Sequence, residues 1–342
     1  MRLRHCTVML AALAGVLISL PAAAEPAEEL FKGRKVSIYV STGPGGGYDA
    51  YGRMLARHLG RHLPGNPTVV VENMPGAGGR NVANFLYNVA PKDGTAIATM
   101  QHTTVYDALF GEAGVRYDAR KFTWLGSMAS FTSVGIAWHT SGVRTVEDAK
   151  TKQIVMGSSG VGATSFQWTN LMNHLIGTKF KILVGYKGAA DIYVALERGE
   201  LDGVAGTDWT SIRNGFQRWL DNKQINIFVQ FATTPHPDLP NVPLIGDLVS
   251  SPEDKTVLRF VFLGLGFARP FLAPPDLPAP VAAALRRGFD AVAKDPALLA
   301  EAKKIRFDVD PVDGATVQRQ LDELYATPKP LIDRAKWALT AR

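Results

Sequence analysis

The sequence predicts an α/β protein built as two lobes, and three observations carry that reading. Short β-branched apolar runs alternate with helical patterns along the whole chain. The 318 residues that follow an N-terminal leader exceed what one hydrophobic core organises. Two glycine-rich turns, Gly43-Pro44-Gly45-Gly46-Gly47-Tyr48-Asp49 and Pro75-Gly76-Ala77-Gly78-Gly79-Arg80, each close a strand pattern and open a helix pattern.

The leader comes first. Met1-Arg2-Leu3-Arg4 is basic, residues 8–20 are apolar but short for a bilayer, and Ala22-Ala23-Ala24 offers small residues for cleavage, so residues 1–24 read as a cleaved secretory signal. The single cysteine, Cys6, lies within it. The exported chain therefore has no disulfide, thiolate metal ligand or cysteine nucleophile.

Strands are expected at residues 36–41, 69–72, 95–100, 122–128, 133–139, 153–158, 181–184, 201–207, 225–231 and 260–267, and helices at 50–63, 81–88 and 282–299. The proline-dense stretches 235–243 and 270–280 read as surface connections. Losing Arg2 and Arg4 leaves 35 basic against 31 acidic side chains, scattered without the basic, aromatic-laced stripe of a nucleic-acid surface. Nucleic acid is excluded as a partner on that ground.

A strand that stops at bare backbone before a helix presents unpaired N–H groups and the positive end of a helix dipole, which together hold an anion. Gly45, Gly46, Gly47, Tyr48 and Asp49 of the first turn, and Gly76, Ala77, Gly78, Gly79 and Arg80 of the second, are the candidate anion ligands of the first lobe. Enzymatic readings of these turns fail on spacing. A dinucleotide fingerprint needs glycine at Tyr48 or Asn81, and a phosphate loop needs a Lys-Ser/Thr pair that neither turn has.

The second lobe supplies its own turn, where Ser158, Ser159, Thr164 and Ser165 offer hydroxyl donors at a helix start. A nucleophile elbow at Ser159 would need glycine at Val161. Lys187 is placed to meet a carboxylate as a point charge and Arg80 to grip one bidentately. Asp208 would reject a fully anionic ligand unless the ligand also carries an amine or a neutral group. His58 and His62 have the spacing of a helical metal pair, but no glutamate lies between them and no third ligand is near in sequence, so no metal is expected and no cofactor either.

These residues resemble a known family. Pro44-Gly45-Gly46-Gly47 with Asp49, then Val69-Val70-Val71-Glu72-Asn73 leading into Pro75-Gly76-Ala77-Gly78-Gly79, Pro91 with Asp93-Gly94, Tyr186-Lys187-Gly188, Gly199-Glu200-Leu201-Asp202, Leu239-Pro240-Asn241-Val242-Pro243 and Gly264-Leu265-Gly266-Phe267-Ala268 are similar, in order, to the Bug receptors of tripartite tricarboxylate transporters. The likeness spans the chain after the leader. Arg80, Tyr48 and Thr95-Ala96 depart from the family pattern. The resemblance implies a type II periplasmic-binding fold, a Venus flytrap with residues 25–132 and 264–342 in lobe one, 133–263 in lobe two and two crossover strands as hinge. It implies a monomeric, non-enzymatic receptor for a small organic carboxylate, partnered by the transporter's membrane permease subunits or by a sensor protein. An exported hydrolase or lyase on the same fold, and a sensory subunit uncoupled from transport, are the alternatives.

Overall fold

The computed structural model describes residues 29–130, 132–232 and 234–341, so the expected signal lies outside the described residues. Eleven strands run β1 (Lys35–Val40), β2 (Thr68–Asn73), β3 (Ala96–Thr99), β4 (Thr123–Ser127), β5 (Ser133–Trp138), β6 (Val155–Ser158), β7 (Lys181–Val184), β8 (Gly203–Asp208), β9 (Ile225–Phe231), β10 (Pro270–Ala273) and β11 (Val312–Asp313). They form a six-stranded sheet, β11-β4-β10-β3-β1-β2, and a five-stranded sheet, β7-β6-β8-β5-β9. The α/β class and the division into two lobes are both as expected.

Within the first sheet β1 pairs β2 and β3 in parallel, and β10 inserts antiparallel between β3 and β4. Within the second, β6 lies parallel to β7 and β8 while β5 runs antiparallel to β8 and β9. On β1 the alternate residues Val36, Ile38 and Val40 are all fully buried against one face of the sheet, while Ser37 and Tyr39 take the other. One apolar core carries Trp124 and Phe267 of the first lobe together with Trp168 and Phe231 of the second. Two further clusters cover the opposite faces, one around Met54 and Phe289 and one around Trp219 and Leu196.

Three expectations are corrected. Residues 260–267 are not a strand: Ser251 caps Asp254 N at 3.3 Å, Pro252 follows at the first helical position, and a helix Pro252–Phe262 passes into a 3₁₀ turn Leu263–Phe267. Its apolar run is the buried stripe of that helix, which a short window does not separate from a strand. The stretch from Pro270 is no surface connection, since Pro270–Ala273 is a wholly buried strand. Proline is tolerated there as the strand's first residue. The helix expected over 282–299 divides into Ala279–Val292 and Pro296–Lys304, because Asp295 caps Ala297 N at 2.8 Å and Pro296 starts a new helix.

The chain passes between lobes through residues 128–132, returns through Leu263–Phe267, and crosses again near residue 327. The last helix, Lys329–Thr340, packs on Thr164–Ile176 of the second lobe, where Asn170 donates to Leu339 O at 3.3 Å and His174 Nδ1 meets Ala338 O at 3.1 Å. The segment 264–342 is thus not confined to the first sheet. His58 and His62 contact Glu301 and Asp295, at 2.6 and 2.5 Å, and tie the first helix to Pro296–Lys304. No group of three metal-capable side chains gathers among the described residues.

Beneath the second glycine turn Asp107, 1% exposed, accepts from Tyr117 Oη at 3.0 Å and lies 3.7 Å from Arg80 Nε. Burial pushes its carboxyl up to about 7, against the opposing pull of Arg80 and the Tyr117 hydrogen bond. The folded protein holds a proton there that the unfolded chain releases near pH 4. Stability from this group is therefore complete at low pH and falls as pH rises towards about 7. Asp107→Asn is expected to raise the thermal midpoint at pH 8 and to change it little at pH 4.5; a midpoint difference that is the same at both pH values contradicts the assignment.

Candidate functional site

The C-terminal ends of β1, β3, β6 and β8, and the turn after β7, meet at a cleft between the lobes, the place where open α/β sheets bind ligands. The first lobe contributes Thr42, Gly46, Gly47, Tyr48, Gln101 and Arg269. Facing them are Ser159, Thr164, Ser165, the start of the helix after β7 at Gly188 and Ala189, and a wall of Ile192, Tyr193 and Val204. A side recess shares Gln101 and Ser159 with the cleft and adds Gly76, Gly78 and Lys187.

Three helices aim their N-termini here: Gly47–Leu59, Thr164–Ile176 and Ala189–Glu197. Their N-cap residues, Gly46, Ala163 and Gly188, make no side-chain cap hydrogen bond. Glycine and alanine at these positions offer no side-chain acceptor to the first-turn N–H groups, of which Thr164 N is taken by Gln101 instead, and each dipole adds about half a positive charge at its end. Thr42 Oγ1, buried in the cleft wall, has no hydrogen-bond partner among the described residues. The cleft thus sets these donors beside the acceptors Gln101 Oε1 and the Asp208 carboxylate.

The lobes touch across it. Thr103 Oγ1 donates to Gly162 O at 2.9 Å, and Thr164 N donates to Gln101 Oε1 at 3.3 Å. Gly78, at φ +65°, lies so close to the second lobe that a Cβ there would stand 2.7 Å from Gly162 C. At the floor Arg269 reaches from the start of β10 to Asp208 at the end of β8, and the two form a buried ion pair. The Arg269 guanidinium lies over the rings of Tyr48 and Tyr51, 4.6 and 5.2 Å from their centroids. Asp208 also accepts from Thr210 N at 3.2 Å and Ser211 Oγ at 3.1 Å. Burial, with the Arg269 charge second, lowers His102 to about 3, so its ring is neutral beside Tyr48 Oη at 3.2 Å. Burial raises the Tyr48 phenol despite Arg269.

Of the residues singled out in the sequence, Gly46, Gly47, Tyr48, Ser159, Thr164, Ser165 and Asp208 line the cleft, and Gly76, Gly78 and Lys187 line its side recess. Gly45 faces a neighbouring recess behind the first turn. Others turn away. Asp49 is buried as a brace, accepting from Gly45 N at 3.0 Å, Arg53 Nε at 2.9 Å and Asn73 Nδ2 at 2.8 Å; burial alone would raise its carboxyl, and these hydrogen bonds hold it below the usual range. Arg80 points from the cleft to Glu112 Oε2 at 3.2 Å and to Ala77 O at 3.1 Å. Ala77 is an exposed turn tip, Gly79 is packed under Thr104, and Ser158 spends its hydroxyl on Gly160 and Ser165.

Sequence reasoning missed Thr42, Gln101, Ser211 and above all Arg269. Arg269 follows Gly264-Leu265-Gly266-Phe267-Ala268 directly, and its only signal is an arginine set between that apolar run and Pro270, at a position where a lone cation is costly without a partner.

No family model matches the chain. It is 24% identical over 251 residues, 70% of this chain and 71% of the other, to a UPF0065 protein in the tcbD-tcbE intergenic region of Pseudomonas sp. (strain P51). Among solved structures it resembles the periplasmic binding protein BugD, with TM-score 0.72, 20% identity, and coverage of 91% of this chain and 99% of that one. It resembles MatC from Rhodopseudomonas palustris with bound malate, with TM-score 0.68, 18% identity, and coverage of 90% and 100%. An R. palustris protein solved with adipate also has TM-score 0.68 and 18% identity, with coverage of 89% and 97%. The chain thus has the two-lobed fold seen in BugD and MatC, the fold that the resemblance in its sequence implies.

Proposed function

We propose that the chain is a periplasmic solute receptor that closes two lobes over a small organic carboxylate and presents the closed form to a membrane permease. The observation that carries this reading is the convergence of three helix N-termini, from both lobes and with no cap from their own N-cap side chains, on one cleft edged with hydroxyls. Such a site neutralises an anion with fixed dipoles and hydrogen bonds, and neither lobe completes it alone. BugD is a periplasmic binding protein, and two further neighbours were solved with malate and with adipate, which supports the ligand class. The basic, apolar and small-residue segments of residues 1–24 support export, and no helix among the described residues is long and apolar enough to cross a membrane.

Three outcomes are expected. A panel of mono-, di- and tricarboxylates assayed by thermal shift contains at least one acid that raises the midpoint; at about 100 times Kd the gain is about 2.7 kcal/mol. That acid shrinks the radius of gyration in small-angle scattering and is recovered unchanged by mass spectrometry, whereas its conversion to product would make the chain an enzyme. Gly46→Val, at an extended backbone position where a new Cβ meets nothing closer than Thr42 Oγ1 at 3.9 Å, is expected to fold normally and to lose binding by closing the helix N-terminus to the ligand. Gly78→Val, whose side chain strikes Gly162, is expected to keep the lobes apart even with ligand present, so that scattering shows no compaction. Normal compaction in that variant would show that Gly78 does not gate closure.

A further inference from the structure

The hydroxyls of Ser159, Thr164 and Ser165, the helix start at Thr164 and the recess bearing Lys187 lie where Gln101 and Ser159 are shared, while Ser211 and the helix start at Gly47 lie against Arg269 and Asp208. Lys187 is exposed and makes no ion pair among the described residues. On the floor, by contrast, the only charges are Arg269 and Asp208, and they cancel each other. Asp208 has both oxygens engaged, one by Thr210 N and the other by Arg269 and Ser211. Ile192, Tyr193 and Val204 give the cleft its apolar lining.

Resting on the carboxylate-receptor reading, we infer that the cleft selects a monocarboxylate whose far end is uncharged, because the buried Arg269–Asp208 pair leaves neither a cation for a second carboxylate nor an acceptor for an ammonium. A second carboxylate arriving at the floor must take Arg269 from Asp208, which strands a buried anion against the ligand's own. An amino group finds an Asp208 already saturated and a guanidinium beside it. An apolar or hydroxylated body meets the Ile192, Tyr193 and Val204 wall without desolvating any charge. Asp208 therefore acts through Arg269 as a specificity-setting residue: with the pair intact Arg269 is occupied, and without Asp208 it becomes a carboxylate site.

The test is titration calorimetry on the exported chain with matched pairs, butanoate against succinate and hexanoate against adipate, and with the best acid of the wider panel against its analogue carrying one carboxylate more or fewer. The monocarboxylate of the responding pair is expected to bind tighter by about tenfold or more. A diacid that binds as tightly as its monoacid overturns this inference and leaves the receptor reading standing, while silence from every acid overturns both. Asp208→Asn keeps an acceptor for Thr210 N and removes the charge, and it is expected to shift the ratio towards the diacid by about tenfold. An unchanged ratio in that variant overturns the role given to Asp208; should the variant fail to fold, the ratio in the unaltered protein decides alone.

Discussion

Arg269 and Asp208 meet at the one place where both lobes and two of the crossings come together, and much of the surrounding structure is arranged to keep them there. Arg269 N donates to Ala129 O at 3.2 Å and Arg269 O accepts from Met128 N at 3.0 Å, next to the first crossing. Asp208 pairs in register with Ser133, just past it. Taking one partner out of such a buried pair costs about 3–5 kcal/mol, because the other is left without water or a counter-ion. Gly47 has to be glycine for this reason: a Cβ on it would stand 2.7 Å from Arg269 Nη2. Tyr48 and Tyr51 flank the guanidinium, and the neutral His102 packs behind Tyr48.

The rest of the cleft follows from helix ends rather than from side-chain charge. Each of the three converging helices follows its strand through a turn of only four to six residues, 41–46, 159–163 and 185–188, which fixes its start against the sheet edge. Small residues at those junctions let the two lobes come within contact distance, as where Thr103 meets Gly162. Dipoles fixed in this way need no reorganisation when an anion arrives, and water excluded by closure strengthens each hydrogen bond.

What was legible in the sequence is what local chemistry dictates. Positive φ at Gly45, Gly76, Gly78 and Gly79 demands glycine, so the anion turns were visible as glycine clusters between periodic segments. The strands were visible as short β-branched runs, such as Val69-Val70-Val71 in β2 and the alternating Val36, Ile38 and Val40 in β1. Arg80 and Asp49 misled because a charged side chain beside a glycine turn has two destinations, the ligand or the turn's own scaffold, and only the fold shows Asp107, Glu112 and Asn73 waiting on the scaffold side. Arg269 was illegible for the converse reason: its partner is 61 residues away in sequence and in the other lobe. The four-residue β10 and two-residue β11 are too short to show a period.

The last helix, Lys329–Thr340, starts its approach from the first lobe and ends on the second, which changes the mechanics of the molecule. Two adjacent connections act as a ribbon that can both bend and twist, whereas a third strut displaced from them removes most of the torsion. If the lobes open as proposed, the movement is confined to a bend about a single axis, and the two walls of the cleft return to the same alignment on closing. It also means that the two ends of the described chain ride on different bodies: Leu30 belongs to the core of the first lobe, while the backbone at Ala341 is held by Asn170 of the second. The distance between Leu30 and Ala341 therefore gauges how far apart the two lobes stand.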